Sequence, residues 1–196
     1  MARYGAEHKT ETRRRIVDTA GQRFKRDGID GSGISALMSD AGLTNGAFYA
    51  HFASKDDLVA KVVADQLQTQ HDILRSLPSG RAALAAYVRE YLSPGHRDQP
   101  SAGCPSAALL DEIGRCDDAI REAYTSGIEA IVNEIETRLS PTGTASARTT
   151  ALGLFTILVA TLQLARAVSD RGFSDQVLES GIHNALILLG VADDAK

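Results

Sequence analysis

The sequence has no tryptophan, only two cysteines, five prolines and a 5% share of aromatic residues over 196 positions. Two thiols, Cys104 and Cys116, are too few for a disulfide framework and lack the partners of a zinc site, so neither metal nor cofactor is expected. No segment alternates apolar and polar residues with β-branched enrichment, which leaves almost nothing to read as a strand. No tract is biased enough to be low-complexity. The longest uncharged apolar run, residues 151–165, is 15 residues, shorter than the roughly 20 that cross a bilayer and suited to a buried helix. Charges occupy the N-terminus where a leader would need an apolar core, so the expectation is a cytoplasmic protein without a membrane partner. Collagen, secreted knot and membrane protein are thereby excluded.

What is present is unevenly distributed. The net charge is −4, yet residues 1–61 hold ten Lys and Arg (Arg3, Lys9, Arg13, Arg14, Arg15, Arg23, Lys25, Arg26, Lys55 and Lys61) against eight Asp and Glu. The remaining residues hold 11 basic against 17 acidic side chains. A basic head on an acidic body matches a head that meets a polyanion, although a solvated helix face carries such runs too.

Apolar residues recur with the helical period along the whole chain. A first helix over 9–27 gathers Ile16, Val17, Ala20 and Phe24 on one side and ends at Gly28. Ile34, Leu37, Met38 and Ala41 mark a two-turn helix that Gly42 stops, and Thr44 or Asn45 can cap another that carries Phe48 inward and ends near Phe52. Ser54 caps a fourth, with Leu58, Val59, Val62, Gln66 and Ile73 on one side, running to about residue 77. Further helices follow over 81–92, from 104 to about 116, over 117–139, 145–170 and 174–190. Residues 93–103 read as a long loop, and Ser140-Pro141-Thr142-Gly143 as a separator. The fold class is all-α, with about nine helices. The last two are apolar around most of their circumference and must be covered on several sides, which predicts a homodimer through Leu158, Leu162, Ile182, Leu186 and Leu189.

Residues 34–51 have the dimensions of a helix-turn-helix. Leu37, Met38, Ala41, Phe48 and Phe52 supply an apolar underside, Gly42 lets the chain reverse, and Leu43 seals the angle. Thr44, Asn45, Tyr49 and His51 then offer hydrogen-bonding groups to a groove, with Gly46 and Ala47 leaving room for close approach.

The run 41–58 (AGLTNGAFYAHFASKDDL) resembles the DNA-binding signature of TetR/AcrR-type transcriptional regulators, and Arg13, Ile16, Ala20, Phe24 and Gly28 resemble the first helix of that family. The resemblance covers residues 12–60. It implies a three-helix DNA-binding domain over 1–54 and an effector-binding and dimerisation domain over 55–196. It also implies contact with double-stranded DNA: Thr44 on a phosphate, Asn45 and Gly46 at base edges, Tyr49 and His51 on phosphates or bases, and Lys55 with the following helix's amides on another phosphate. Two positions depart from the family pattern. Gly33 stands where Ser or Thr would cap the second helix, so Ser32 caps one residue earlier or the cap is weaker. Met38 stands where a small Ala is frequent.

The same resemblance implies a small-molecule effector, and Leu67, Leu74, Tyr87, Tyr91, Leu109, Tyr124, Ile128 and Phe155 form a mostly apolar candidate lining, although any single one of them is more readily read as core packing. Cys104, before Pro105, sits at a helix N-terminus that lowers a thiol pKa, but by less than one unit, with no Lys, Arg or His within four residues. Cys104→Ser is therefore expected to keep operator binding and effector response. The carboxylates Asp111, Glu112, Asp117 and Asp118 have no neighbouring His and read as solvated charge at a helix junction, so no catalytic residue and no enzyme is expected. A DNA-compacting protein would bind without sequence preference.

Overall fold

The computed structural model describes residues 2–140 and 143–191, with side chains from residue 7 onward. The expected separator residues Pro141 and Thr142, and the Arg3 side chain of the basic head, lie outside the described residues. Nine α-helices and two 3-10 helices succeed one another, with no strand among the described residues. The all-α expectation holds.

Helix α1 (Ala2–Asp27) starts well before residue 9, because residues 2–8 carry no apolar stripe for periodicity to detect. Its Ile16, Ala20 and Phe24 are fully buried. Helix α2 (Ile34–Asp40) turns Leu37 and Met38 into the same core. Gly42, at φ +66°, closes it: the Leu43 N–H donates to the Met38 carbonyl at 2.8 Å and the Gly42 N–H to the Ser39 carbonyl at 2.9 Å, a left-handed cap. At the other end Gly33 supplies no side-chain cap, and the Ser32 hydroxyl donates to the Gly28 carbonyl at 2.7 Å instead of capping.

The next element corrects the sequence reading. Residues Asn45–Ala50 form a 3-10 helix, not two α-helical turns. Thr44 makes no side-chain cap bond, and the bonds are tight i→i+3 ones, His51 N–H to Phe48 carbonyl among them at 2.9 Å. Helix α3 (Lys55–Ser76) is capped as expected: Ser54 Oγ accepts the Asp57 N–H, and the Asp57 carboxylate accepts the Ala53 N–H, both at 3.1 Å. Leu58, Val59 and Val62 are buried, but Ile73, expected among them, is 42% exposed because it opens on a cavity rather than a neighbour.

After α4 (Arg81–Tyr91), residues 93–103 are no loop. Helix α5 (Pro94–Asp98) and a 3-10 turn (Pro100–Ala102) fill most of the segment. Ser93 caps α5 by accepting the His96 N–H at 3.2 Å, and Pro94 occupies the first helical position. Helices α6 (Pro105–Ile113), α7 (Asp118–Leu139), α8 (Ala145–Ala167) and α9 (Arg171–Leu189) complete the body. Helix α3 packs along α7, α7 against α8, α8 against α9, and α6 between α1 and α8. One buried cluster runs from Ile16 to Leu189 without a break between head and body.

The α8–α9 pair corrects the expected interface. Leu158, Leu162, Leu186 and Leu189 are buried inside the chain and have no surface left for a partner; Ile182 is half-buried. Helices α4, α5, α6 and α7 already pack on the pair. The exposed apolar side chains of the pair are Leu152, Leu164, Phe173 and, at 63% exposure, Ile187. By length and composition alone α8 could cross a membrane, and 33% of its most apolar window is buried within the chain.

Two substitutions test this packing. A Cβ on Gly127 of α7 would lie 2.5 Å from Cδ1 and 2.7 Å from Cβ of Leu67 on α3. Gly127→Ala is therefore expected to destabilise by about 1–3 kcal/mol in urea unfolding, despite alanine's helix propensity. Gly33 has extended backbone (φ −75°, ψ 148°) and nothing within 4 Å of a Cβ. Gly33→Ser should stabilise by a few tenths to about 1 kcal/mol. A neutral Gly127→Ala, or a destabilising Gly33→Ser, would contradict the packing described.

Candidate nucleic-acid interface and ligand cavities

The 3-10 helix divides its residues by side. Phe48 is fully buried and Phe52 nearly so, their rings 5.6 Å apart, while Thr44, Asn45, Gly46 and Tyr49 face solvent, Tyr49 at 67% exposure. Tyr49 is held upright by an edge-on contact with Phe48 at 5.2 Å. Arg13 fixes the whole element to α1: its guanidinium lies 4.4 Å over the Phe52 ring and donates to the His51 carbonyl. These groups form one polar surface on an apolar footing, beside basic side chains of α1.

His51 is half-buried, and burial, with Lys9 and Arg13 nearby, lowers its pKa below 6.5. It is therefore neutral at pH 7. Its Nδ1 is buried without a protein partner among the described residues. Lys55 opens α3 and makes no ion pair among the described residues; it lines a crevice with Asp30, Asp56, Glu112 and Asp117. Its charge thus stands beside a group of carboxylates.

The predicted effector lining is brought together only in part. A cavity of about 620 Å³ opens between α3, α4 and the 93–103 segment, and of the eight predicted residues only Tyr87 and Tyr91 line it. Leu74 and Leu109 are spent in the core, Leu67 borders a separate crevice between α3 and α7, and the Tyr124 hydroxyl donates to Ser106 Oγ at 3.1 Å. Ile128 and Phe155 are half-buried against the core. The lining residues missed include Gln70, Ile73, Glu90, His96 and Gln99, so polar side chains share the lining with apolar ones. The Ser93-Pro94 start of α5 was the signal that could have found His96.

His96 organises this wall. Its Nδ1 donates to the Tyr91 carbonyl at 2.7 Å and its Nε2 accepts the Cys104 N–H at 3.1 Å, an arrangement that requires neutral imidazole. Burial lowers the His96 pKa accordingly and pushes the Tyr91 phenol well up. Cys104 is 2% exposed, and folding corrects the local reading of its surroundings by bringing Lys25 and Arg166 into its electrostatic neighbourhood.

Head and body meet at the end of α1. Glu112, read as solvated charge, accepts the N–H groups of Ile29 at 2.7 Å and Asp30 at 3.4 Å. Lys25 donates to the Gly103 carbonyl at 2.9 Å, and the Pro100–Ala102 turn packs on α1.

A family model, that of bacterial regulatory proteins of the tetR family, matches residues 16–62, which span α1's core face, the helix-turn-helix and the start of α3. Over this N-terminal segment the chain is similar to regulatory proteins of the TetR family. The transcriptional regulator AcrR of Shigella flexneri is 36% identical over 62 residues, 32% of this chain and 29% of AcrR. The transcriptional repressor NemR of Escherichia coli K12 is 25% identical over 127 residues, 62% of this chain and 64% of NemR. These matches thus span less than two thirds of either relative. The crystal structure of the reduced form of E. coli NemR superposes with a TM-score of 0.78 at 20% identity, covering 94% of this chain and 98% of that one, so the fold extends through the body. The relatives are transcriptional regulators by name, not enzymes.

Arg13 gives the TetR-type head a direct test. Arg13→Ala removes a charge-assisted hydrogen bond and a ring contact and should cost about 1–2 kcal/mol of stability, with Arg13→Lys intermediate because the planar stack is lost. Unchanged urea midpoints would show that the pin carries nothing. Because the folded imidazoles of His51 and His96 titrate below 6.5, the native state binds fewer protons than the unfolded chain. Stability is therefore expected to fall as the pH drops below 6.5, and less steeply in His51→Gln.

Proposed function

We propose that the chain is a homodimeric, cytoplasmic one-component repressor that binds a palindromic operator and releases it when a small, mostly apolar effector enters the body. The observation that carries this reading is the solvent-facing set Thr44, Asn45, Gly46 and Tyr49 on a TetR-type helix-turn-helix whose apolar side is fully buried. In the proposal Asn45 and Gly46 meet base edges, Thr44, Tyr49 and His51 meet phosphates or bases, and Lys55 adds a phosphate contact beside the α3 N-terminus. The 3-10 form supports it in one respect: it is a short, tightly wound element, so its few exposed side chains project close together.

The dimer contact proposed is the exposed face of α8 and α9. Leu164 and Phe173 border a groove of about 360 Å³ that also takes in Val177 and Gly181, and a second copy would supply the cover that α8 lacks. Two recognition elements related by a two-fold axis would then sit about 34–36 Å apart, one turn of DNA. The effector is assigned to the 620 Å³ cavity lined by Tyr87 and Tyr91, within the size range of small-molecule sites. Its wall, residues 93–104, bonds Lys25 of α1, so occupancy and head orientation share a partner.

Selecting DNA from a random pool tests the reading. A palindrome should be enriched, with affinity falling steeply as salt rises. Asn45→Ala should relax preference at one position by about 1–3 kcal/mol, whereas Lys55→Ala should weaken all sequences alike. Failure to enrich any sequence would favour non-specific binding and contradict the repressor. Ile187→Glu should give folded monomer in sedimentation, and a dimer that persists would move the interface elsewhere. Leu186→Glu, one residue away, should instead unfold the chain.

A further inference from the structure

A second cleft, of about 560 Å³, lies on the opposite side of the 93–103 segment, between α1 and α8. Its charges do not balance. Arg97 is paired with Asp98 at 2.9 Å and with Asp175 at 2.5 Å, and Arg171 with Asp98. Lys25 and Arg166 line the same cleft and have no carboxylate partner among the described residues. Lys25 donates only to the Gly103 carbonyl; Arg166 donates to the carbonyls of Arg97 at 3.1 Å, Ala107 at 3.3 Å and His96 at 2.8 Å. Carbonyl oxygens satisfy hydrogen bonds without supplying counter-charge, and the Asp98 carboxylate, itself paired with Arg97 and Arg171, acts on Arg166 only through space.

The cost of burial is visible in both cations. Burial, with Arg166 nearby, lowers the Lys25 ammonium to about 8, and burial lowers the Arg166 guanidinium as well. The groups facing Lys25 are Arg166, His96 and Cys104, and none is a carboxylate. Around the cations the wall is made of small apolar groups, Pro100, Ala107, Ala108, Ala165 and Val168, which leave space for a compact body.

We propose that this cleft binds a small organic acid, its carboxylate held between Lys25 and Arg166 and its apolar part against the alanine wall. A carboxylate is the group that answers an ammonium beside a guanidinium, accepting from Lys25 Nζ and from the second hydrogens of Arg166 Nη1 and Nη2 that the carbonyls leave free. The site is distinct from the apolar cavity assigned to the effector and shares only the 93–103 partition with it. Because Lys25 belongs to α1, an acid that draws it from the Gly103 carbonyl acts on the helix that carries the DNA-binding head; that consequence rests on the repressor reading, whereas binding itself does not.

Calorimetry on the intact chain without DNA tests the inference, with benzoate, its uncharged isostere benzamide and inorganic phosphate as probes. Wild type should bind benzoate saturably and at least about tenfold more tightly than benzamide or phosphate. Lys25→Gln should weaken benzoate about tenfold and leave benzamide unchanged. Arg166 also holds three carbonyls, so Arg166→Lys is compared only if its thermal unfolding matches wild type. The inference is overturned if benzoate fails to bind at millimolar concentrations, if benzamide or phosphate binds equally well, or if Lys25→Gln is without effect. A chain that binds benzoate but selects no operator would refute the repressor and leave this site standing.

Discussion

The rest of the structure depends on how the body holds the end of α1. Two contacts do it: the Glu112 carboxylate on the N–H groups of Ile29 and Asp30, and the Gly103 carbonyl on the Lys25 ammonium. The first satisfies backbone donors that the helix end and its turn leave without partners; the second anchors a cation that burial has made costly. Neither is a large energy by itself. Their importance is positional, because α1 spans the interval between the ligand cavities and the helix-turn-helix. Arg13, which pins the 3-10 helix through His51 and Phe52, is twelve residues and about 18 Å along α1 from Lys25.

A rigid helix held by the head at its middle and by the body at its C-terminal end is suited to turning a small change in the body into a shift of the head. The 93–104 segment is placed to start such a change. One face borders the apolar cavity through His96, the other borders the cationic cleft beside Arg166, and its 3-10 turn rests on α1. His96 makes the segment a single unit by bonding both the Tyr91 carbonyl before it and the Cys104 N–H after it. The continuous core means that the head does not swing freely, so any reorientation has to repack side chains such as Leu58 and Phe24.

Much of this was legible in the residues. Periodicity marks α2, α3, α4 and the last two helices because each has an apolar stripe facing a core, and Gly42 and Ser54 mark their ends by chemistry that no other reading explains. The motif over 41–58 placed Thr44, Asn45, Gly46, Tyr49, His51 and Lys55 together; the first four are exposed, and His51 and Lys55 are half-buried. What was not legible involves partners distant in sequence. Glu112 looks solvated until residues 29 and 30 are beside it, and Cys104 looks remote from cations until α1 and α8 supply them. The interface leucines illustrate a different limit: an all-round apolar helix shows that cover is needed, but not which side its own chain covers. The 93–103 segment was misread because its composition is polar, although Ser93-Pro94 is a helix start by capping chemistry.

The central claim is that α1 carries the state of the body to the surface proposed to read DNA. A double-mutant cycle between Glu112→Ala and Arg13→Ala, read as affinity for an operator selected by the chain itself, measures it most directly. The two side chains act at the middle of α1 and just beyond its C-terminal end and share no partner, so independent sites should give effects that add within about 0.3–0.5 kcal/mol. The account predicts a coupling larger than that, with the doubly substituted chain losing less affinity than the sum of the single losses, because a head already released from one end has less orientation left to lose. Additive effects in folded, dimeric variants would contradict it.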